Sequence, residues 1–232
     1  MSIFFKQMYK VWQQELEITK ECKAITPFFI TGPIKNVQSI IVGLNPRTTK
    51  SCKKIHNEIE TLPLKGIISF RLLSENYENG KVIPTSKDTA MRNCIAVLTN
   101  NQKFIKKHDK NVFMAYKNLN ACKINFCSIP SDSWKLRKDP EEIKRAHWEW
   151  NIQIGKYKAL KTIIHAFMKD QTIENLVLWI GPKYYDYIDY FLKSDNFQTK
   201  IVAQKKCWEW KKKNKRIILG PNQGFPTKKI KP

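Results

Sequence analysis

Apolar residues follow two different patterns along this chain, and each pattern predicts a different element. Between residues 2 and 22 they return every three or four positions among polar residues, which predicts an amphipathic helix. A short apolar run at 39–42 and two further segments rich in apolar residues, one from Cys122 to about Asn125 or Phe126 and one at 175–181, instead predict buried strands. Each of these runs leads into a Gly or contains an Asn near its end, so the strands are expected to finish in tight, polar loops.

The segments between and after these runs complete the predicted order of elements. Thr85 or Ser86 is expected to cap a helix that runs to about Asn100. Asp139 as N-cap and Pro140 as first helical residue predict one long helix that continues to Phe167. The remaining predictions are a helix that starts at Pro182, a fourth strand at 198–204, a basic loop or hairpin at 205–216 and one more strand at 217–219. Residues 51–84 predict no clear element.

Strands that alternate with helices indicate an α/β protein whose sheet is covered on both faces. We therefore predict a three-layer α/β/α sandwich on a short, mostly parallel four-stranded sheet. The 232 residues are expected to form a single domain, 1–232, since no linker divides them. Within it, residues 1–36 contribute a helix packed on the domain, and residues 205–232 form a basic C-terminal hairpin and tail.

The charge of the chain points to a polyanionic partner. The net charge is +22 and the pI is near 9.8, values that are typical of proteins that bind nucleic acid. Anionic membrane is the competing partner, but no apolar run approaches the roughly 20 residues of a spanning helix, and no signal pattern begins the chain. We therefore expect DNA, duplex or single-stranded, as the partner of a monomer, and no membrane.

Six scattered cysteines without a CxxC pair indicate buried, reduced thiols. That pattern predicts a cytoplasmic protein, nucleoid-associated or, in a eukaryote, nuclear. No constellation of metal ligands and no P-loop is present in the sequence, so we expect neither a metal nor a cofactor.

The segment that follows the first core strand carries the candidate chemistry. The strand ends at Gly43 and Leu44, and Asn45 and Pro46 follow with a cluster of hydroxyl and cationic residues that begins at Arg47. In parallel sheets, ligands bind just beyond the carboxyl ends of the strands. Because Pro46 restricts the backbone of Asn45, one amide side chain can be held at the mouth of a pocket. The alternative is that Asn45 and Pro46 only form a turn.

This segment resembles the first motif of the uracil/thymine DNA glycosylase superfamily, a Gly-x-Asn-Pro-Gly loop after the first core strand. The order and spacing of further motifs are also similar from about residue 37 to 204: Ile124 to Pro130, the Pro-Glu-Glu-Ile helix start at 140–143, and Leu176 to Gly181. Two features depart from the family. Arg47 replaces the usual Gly, and Ala203, Gln204, Lys205 and Lys206 stand where most members have a His-Pro-Ser loop.

The resemblance implies a uracil-DNA glycosylase-like fold and a monofunctional DNA glycosylase. Such an enzyme flips a base out of the DNA and hydrolyses its N-glycosidic bond, here with a water held by Asn45, and leaves an abasic site. Uracil is the default base, and a modified base of foreign DNA is the alternative. Two other functions stay open: a non-catalytic DNA-binding protein on the same fold, and another α/β nucleotide-processing enzyme.

The site residues follow from the same reasoning. Asn125 is expected to read the edge of the flipped base, with Phe70 or Phe126 stacked on it and Gly43 and Leu44 beside it. Cations and aromatic residues on two loops are expected to contact DNA: Arg47, Lys50, Lys53, Lys205, Lys206, Trp208, Trp210, Lys211 and Lys212. Each role has a structural alternative. Asn125 can simply close its strand through backbone hydrogen bonds, and Phe70 and Phe126 can be core residues. The basic hairpin can be a solvated edge of the sheet.

Overall fold

A computed structural model describes the protein at residues 2–24, 30–44, 93–96, 98–99, 116–131, 136–203 and 207–220. The chain divides into two compact units. The first unit takes residues 1–30, 44–79 and 124–170, and the second takes residues 31–43, 80–123 and 171–232. The prediction of a single domain over 1–232 stays a prediction.

Helix α1 (Ile3–Glu21) opens the first unit and confirms the helix predicted at 2–22. The Ser2 hydroxyl accepts a hydrogen bond from the Phe5 N–H at 3.5 Å, as an N-cap does. The Asp170 carboxylate accepts the Phe4 N–H at 2.9 Å and so ties the start of α1 to a residue far along the chain. The apolar face of α1 is buried, and α1 packs on helices α2 (Glu141–Gln153) and α3 (Lys156–Lys169).

The single long helix predicted from Asp139 to Phe167 is wrong, because the chain forms α2 and α3 with a break between them. Gly155 adopts a φ of 73°, in the left-handed region that glycine tolerates and other residues avoid. The N–H groups of Ile154 and Gly155 both donate to the Trp150 carbonyl at 2.9 Å and close the last turn of α2. The apolar spacing continues across the break, and for that reason periodicity alone missed it.

Seven strands form one mixed sheet, and β1 contributes only two residues to it. The strands are β1 (Ile30–Thr31), β2 (Ser39–Gly43), β3 (Ala121–Asn125), β4 (Asn175–Leu178), β5 (Gln198–Ala203), β6 (Cys207–Lys212) and β7 (Lys215–Leu219), in the spatial order β1-β3-β2-β4-β7-β6-β5. Strand β2 is parallel to β4, and β4 is parallel to β7. The Gln38 N–H donates to the Asn120 carbonyl and the Cys127 N–H to the Leu44 carbonyl, so β2 and β3 also run in the same direction. Strands β6 and β5 are antiparallel additions beyond β7.

The α/β class is confirmed, whereas the place given to the fourth strand is wrong. The segment expected to follow the third strand in the parallel sheet, 198–204, is the outermost strand β5. The neighbour of β4 is instead β7, whose residues 217–219 were expected only as one more strand. Both segments have strand-like composition, and only the pairing partners distinguish a central strand from an edge strand.

The core of the second unit lies around the central strands. Ile41 of β2, Val177 of β4 and Ile218 of β7 belong to one buried apolar cluster, which also takes in side chains from residues 94–98 and 116–121. Residues 93–96 and 98 are helical, which is the described part of the helix expected at 85–100. A short 3₁₀ turn, Pro182–Tyr184, leads into helix α4 (Tyr185–Lys193), as the proline predicted.

Two further expectations concern thiols and membranes. Cys22, Cys94, Cys122, Cys127 and Cys207 are free and buried. Among the residues described here, no helix combines the length and the apolar character that crossing a bilayer requires.

Candidate functional site

The loop that follows β3 is held at three successive residues, all within the first unit. The Phe126 ring packs edge-on against Trp150, with ring centroids 5.8 Å apart. The Cys127 N–H donates to the Leu44 carbonyl at 2.9 Å. The Ser128 N–H donates to Glu15 Oε1 at 3.0 Å. Asn125, which directly precedes these residues and is 6% exposed, therefore begins a loop with little conformational freedom.

The predicted base-binding residues of this region differ in accessibility. Gly43 is buried and Leu44 is half-buried at the end of β2. Phe126 is buried against Trp150, so its ring lies in the core, which was the alternative to a stacking role. Asn125 is also largely buried, and a base would have to reach its amide inside the protein rather than at an open surface.

Glu15 is a member of this site that sequence reasoning missed. Its side chain is 1% exposed, and besides Ser128 it accepts the Trp150 Nε1–H at 2.8 Å. Neither donor is a cation, and Oε2 has no hydrogen-bond partner within the described part of the chain. Burial raises the pKa of Glu15 to about 7, although the hydrogen bonds from Ser128 and Trp150 oppose that rise.

A signal for Glu15 was present in the sequence. The residue stands three positions after Trp12 and three before Ile18, on the same helical face as these buried side chains. An acid on the apolar face of a helix is buried or distorts the packing, so its position predicts hydrogen-bond donors in the core around it.

Cys127 and His147 form a second buried contact in the first unit, with 3.8 Å between Sγ and Nδ1. Burial raises the pKa of the Cys127 thiol, and the nearby Glu15 adds to that rise. Burial lowers the pKa of His147 to about 4, against the opposing charge of Asp139. A neutral imidazole therefore faces a neutral thiol at pH 7. This pair is a packing contact, because a reactive cysteine would be ionised to a thiolate.

The sheet of the second unit has two edges of different character. At the carboxyl ends of the parallel strands, Val42 pairs with Leu178, Leu178 with Leu219, and Leu219 with Trp208. At the amino ends the row is Ser39, Asn175, Arg216 and Lys211. Strands β2, β4 and β7 therefore leave the sheet at the Trp208 edge, and the hairpin turn between β6 and β7 lies at the other edge.

The amino edge is held by its own polar groups. Arg216 pairs with the Glu209 carboxylate, and Asn175 Nδ2 donates to Ser39 Oγ at 3.2 Å. Lys215 Nζ donates to the Ile173 carbonyl, and Lys212 Nζ donates to the Asp195 carbonyl. These cations and amides stabilise the fold of the second unit.

The aromatic residues predicted to contact DNA pack against α4. The Tyr185 ring lies 4.7 Å from the Trp208 ring and 5.8 Å from the Trp210 ring, centroid to centroid. Trp210 is fully buried, and its Nε1–H donates to Asp189 Oδ1 at 2.9 Å. The prediction that Trp210 contacts DNA is wrong for this conformation. Trp208 is 9% exposed and lies at the carboxyl edge.

Asp189 also binds Thr199 Oγ1 at 3.0 Å and Lys193 Nζ at 2.7 Å. Burial raises the pKa of Asp189, but the hydrogen bonds from Lys193, Trp210 and Thr199 outweigh it and hold the pKa below its ordinary value. The ionised carboxylate therefore fixes the Trp210 indole, α4 and β5 to one another.

The predicted DNA-binding lysines of the hairpin have different surroundings. Lys212 is engaged by the Asp195 carbonyl, and its Nζ also lies 5.7 Å from the centre of the Phe197 ring. Its expected role as a DNA contact is replaced by this structural one. Lys211 is exposed, with its Nζ 3.9 Å from Glu209 Oε1, and remains a candidate.

The other predicted site residues lie outside the described part of the chain: Asn45, Arg47, Lys50, Lys53, Phe70, Lys205 and Lys206. Among the described residues, no group of three His, Cys, Asp or Glu side chains could hold a metal ion.

No protein-family model, no curated protein and no solved structure matches this chain.

Proposed function

We propose that this protein is a DNA glycosylase, in which Asn45 orients the attacking water and Asn125 reads the flipped base. One observation carries the proposal: the Cys127 N–H donates to the Leu44 carbonyl at 2.9 Å. Leu44 is the last described residue before Asn45, and Cys127 lies two residues after Asn125. The chain therefore enters the Asn45 segment beside the loop that begins at Asn125.

The proposed reaction is hydrolysis at the anomeric carbon of the sugar. The C1′–N bond breaks, and its electron pair leaves with the base as an anion. The water oxygen bonds to C1′, its proton is released, and an abasic site and a free base remain. An amide can accept a hydrogen bond from the water and hold it in line, while its dipole stabilises the separating charges.

Base recognition is assigned to Asn125 because its loop is held in place. An amide both donates and accepts, and can therefore pair with the Watson–Crick edge of an extruded base. Fixing the three residues after Asn125 through Trp150, Leu44 and Glu15 lowers the ordering cost of binding. With Phe126 buried against Trp150, the stacking role is proposed for Phe70.

The finer part of the fold prediction is also a proposal. Four neighbouring strands, β3, β2, β4 and β7, run parallel, which is the strand number expected of a uracil-DNA glycosylase-like sandwich. In this proposal β7 takes the place first given to 198–204. Strands β5 and β6 are then an extension of that sheet.

The DNA contact is proposed at the carboxyl edge of the sheet in the second unit. Ala203 pairs with Cys207, so β5 ends and β6 begins at the same edge at which β2, β4 and β7 end. The connection between β5 and β6 carries Lys205 and Lys206, and Trp208 follows it. Cations there are proposed to contact the phosphates of DNA.

The test is base release from a panel of DNA substrates. Duplexes and single strands that contain uracil, mismatched thymine or modified bases are incubated with the protein, and abasic sites are revealed by alkaline cleavage. Asn45→Ala and Asn125→Ala proteins serve as controls for a contaminating glycosylase. Abasic sites made by the parent and not by the Asn45→Ala protein support the proposal. Equal release by both, or none on any substrate, contradicts it.

A non-catalytic DNA-binding protein is the second candidate. The sequence Ala203-Gln204-Lys205-Lys206 favours it, because the family that this chain resembles usually has a His-Pro-Ser loop there. In that case the panel yields no abasic sites, while binding to DNA persists and falls with salt.

A further inference from the structure

The outward face of α3 carries an uninterrupted row of cationic and titratable side chains. Lys158, Lys161, His165 and Lys169 are exposed, and their spacing of three, four and four residues places them on one face of the helix. The opposite face, which includes Leu160, Ile163, Ile164 and Phe167, is buried. At a rise of 1.5 Å per residue, the row extends for about 17 Å along the axis.

The lysines of this row have no ion pair with an acid among the described residues. Helix α3 contains no Asp or Glu, and Lys158, Lys161 and Lys169 have no acidic partner in the part of the chain that the structure describes. Lysines on the other helices of the first unit share their helix with acids. Helix α1, which carries Lys6, Lys10 and Lys20, also contains Glu17 and Glu21. Lys144 of α2 pairs with Glu141 at 2.6 Å. The difference indicates that the row on α3 has a function beyond solubility.

The first turn of α3 also breaks a local rule. Helix α2 begins with Glu141 and Glu142, which complement the positive end of a helix dipole. Helix α3 begins with Lys156, Tyr157 and Lys158 and has neither an acid nor a side-chain cap in this turn. Cations at this end are unfavourable by a few tenths of a kcal/mol each, and such local conflicts concentrate at functional surfaces.

We propose that this face of α3, defined by Lys158, Lys161, His165 and Lys169, binds the phosphates of nucleic acid. The inference rests on the nucleic-acid binding in the proposed function and adds a phosphate contact surface in the first unit. Its lysines displace condensed counterions from the strand. Tyr157 is exposed and stands four residues before Lys161, so its ring offers a face on which a base can stack.

A membrane fits this surface less well. Helices that lie on membranes expose a wide apolar face, which enters the acyl boundary, opposite their basic face. The apolar face of α3 is already used inside the first unit, where it is buried. Besides Tyr157, the exposed side chains of α3 are lysines and His165, and such cations match a phosphate backbone, which needs no insertion.

The test compares two triple variants of equal charge. One is Lys158→Gln, Lys161→Gln, Lys169→Gln, and the control is Lys6→Gln, Lys10→Gln, Lys20→Gln, which removes three exposed lysines from α1. Binding is measured by fluorescence anisotropy on oligothymidine of about 30 nucleotides and on a duplex of about 20 base pairs, between about 50 and 200 mM salt. Melting temperatures verify that both variants remain folded.

We expect the α3 variant to bind about tenfold more weakly at low salt, with a salt slope lower by about two to three units, and the control to change by less than about threefold. Equal losses in both variants would mean that only net charge matters, and no loss in either would mean a solvated face. Either result overturns the proposal. So does loss of binding to phosphatidylserine vesicles without loss of binding to nucleic acid.

The binding experiment and the base-release test can contradict their two proposals independently of each other. A protein that loses DNA binding through the α3 variant but never produces an abasic site retains this surface and lacks glycosylase activity. If the α3 variant binds DNA and releases a base as well as the parent protein does, the glycosylase activity is retained and the proposed role of this surface is excluded.

Discussion

The two edges of the sheet in the second unit differ in the side chains that they carry. At the amino edge, Arg216 pairs with Glu209, Lys212 and Lys215 donate to backbone carbonyls, and Asn175 donates to Ser39. At the carboxyl edge, the row Val42, Leu178, Leu219 and Trp208 is apolar, and in the sequence β2 continues from it toward Asn45.

The polar groups of the amino edge are therefore engaged in contacts that stabilise the fold. A lysine whose amine is held by a carbonyl must give up that bond before it contacts a phosphate. The four positions from Trp208 to Lys212 along β6, at about 3.4 Å per residue, put the hairpin turn well over 10 Å from the carboxyl edge. The turn therefore lies at the edge opposite to the one at which β2, β4 and β7 end.

The largest effect is expected from breaking the ion pair of the amino edge. Arg216→Met leaves the Glu209 carboxylate buried without its guanidinium partner, and should lower the free energy of unfolding by about 3–5 kcal/mol. Lys211→Gln, a change at the exposed neighbour, should cost less than about 1 kcal/mol. Denaturant titrations of both proteins measure this. Equal, small losses would mean that the amino edge is not held by its ion pair.

A second substitution, Asn45→Ala, tests the segment that follows β2 in the sequence. Loss of one oriented group from the transition state should lower single-turnover base release by about 10²–10³-fold. DNA affinity and melting temperature should barely change, since phosphate contacts supply most of the affinity. A folded Asn45→Ala protein that cleaves at the parent rate would remove the chemistry from this segment and leave Asn45 and Pro46 as a turn.

The two buried carboxylates Glu209 and Glu15 differ in their partners and therefore in how they affect stability. Unlike Glu209, Glu15 pairs with no cation among the described residues, and its pKa is about 7 in the folded protein against an ordinary 4.5. Between these values the folded state binds more protons than the unfolded chain, so this group makes stability fall as pH rises. His147, with a pKa of about 4 against 6.5, makes stability rise between pH 4 and 6.5. The two contributions oppose each other in the parent protein.

Glu15→Gln removes only the first of these contributions. Relative to the parent, the variant should therefore gain about 3 kcal/mol of stability as pH increases from 4.5 to 7, at about 1.4 kcal/mol per pKa unit. Urea titrations across this range check the result, with Glu17→Gln at an exposed position of the same helix as the control. Stability curves that stay parallel to the parent curve would mean that Glu15 titrates normally.

The smallest effect is expected from pairs of lysines at the two edges. Lys205→Ala with Lys206→Ala should reduce the salt slope of DNA binding by about two units, one for each lost phosphate contact. Lys211→Ala with Lys213→Ala, at the hairpin turn, should reduce the slope by at most about one unit, because Lys211 is the predicted DNA contact that this variant removes. Lys212 is kept in both proteins because its amine supports the fold. Equal slopes for the two double variants would show that the edges do not differ in DNA contact.

Several elements were determined by the sequence itself, because local patterns specify them. The three- and four-residue spacing of apolar side chains predicted α1 to within one residue at each end. The apolar run before Gly43 predicted β2, the run before Asn125 predicted β3, and Pro182 predicted the start of the helical segment that becomes α4. In these cases the residues that form the element also contain the signal for it.

Only the tertiary structure decided which groups meet. Gly155 divides one apolar period into two helices, and long-range pairing puts β7 beside β4 and β5 at the outside of the sheet. Trp210 and Lys212 look like surface groups in the sequence, but Asp189 and the Asp195 carbonyl bind them. Glu15 is an ordinary helical acid until Ser128 and Trp150 enclose it. The break at Gly155 is local, but the other cases share one physical reason: burial and hydrogen bonding depend on partners 10 to 135 positions away, which no local pattern contains.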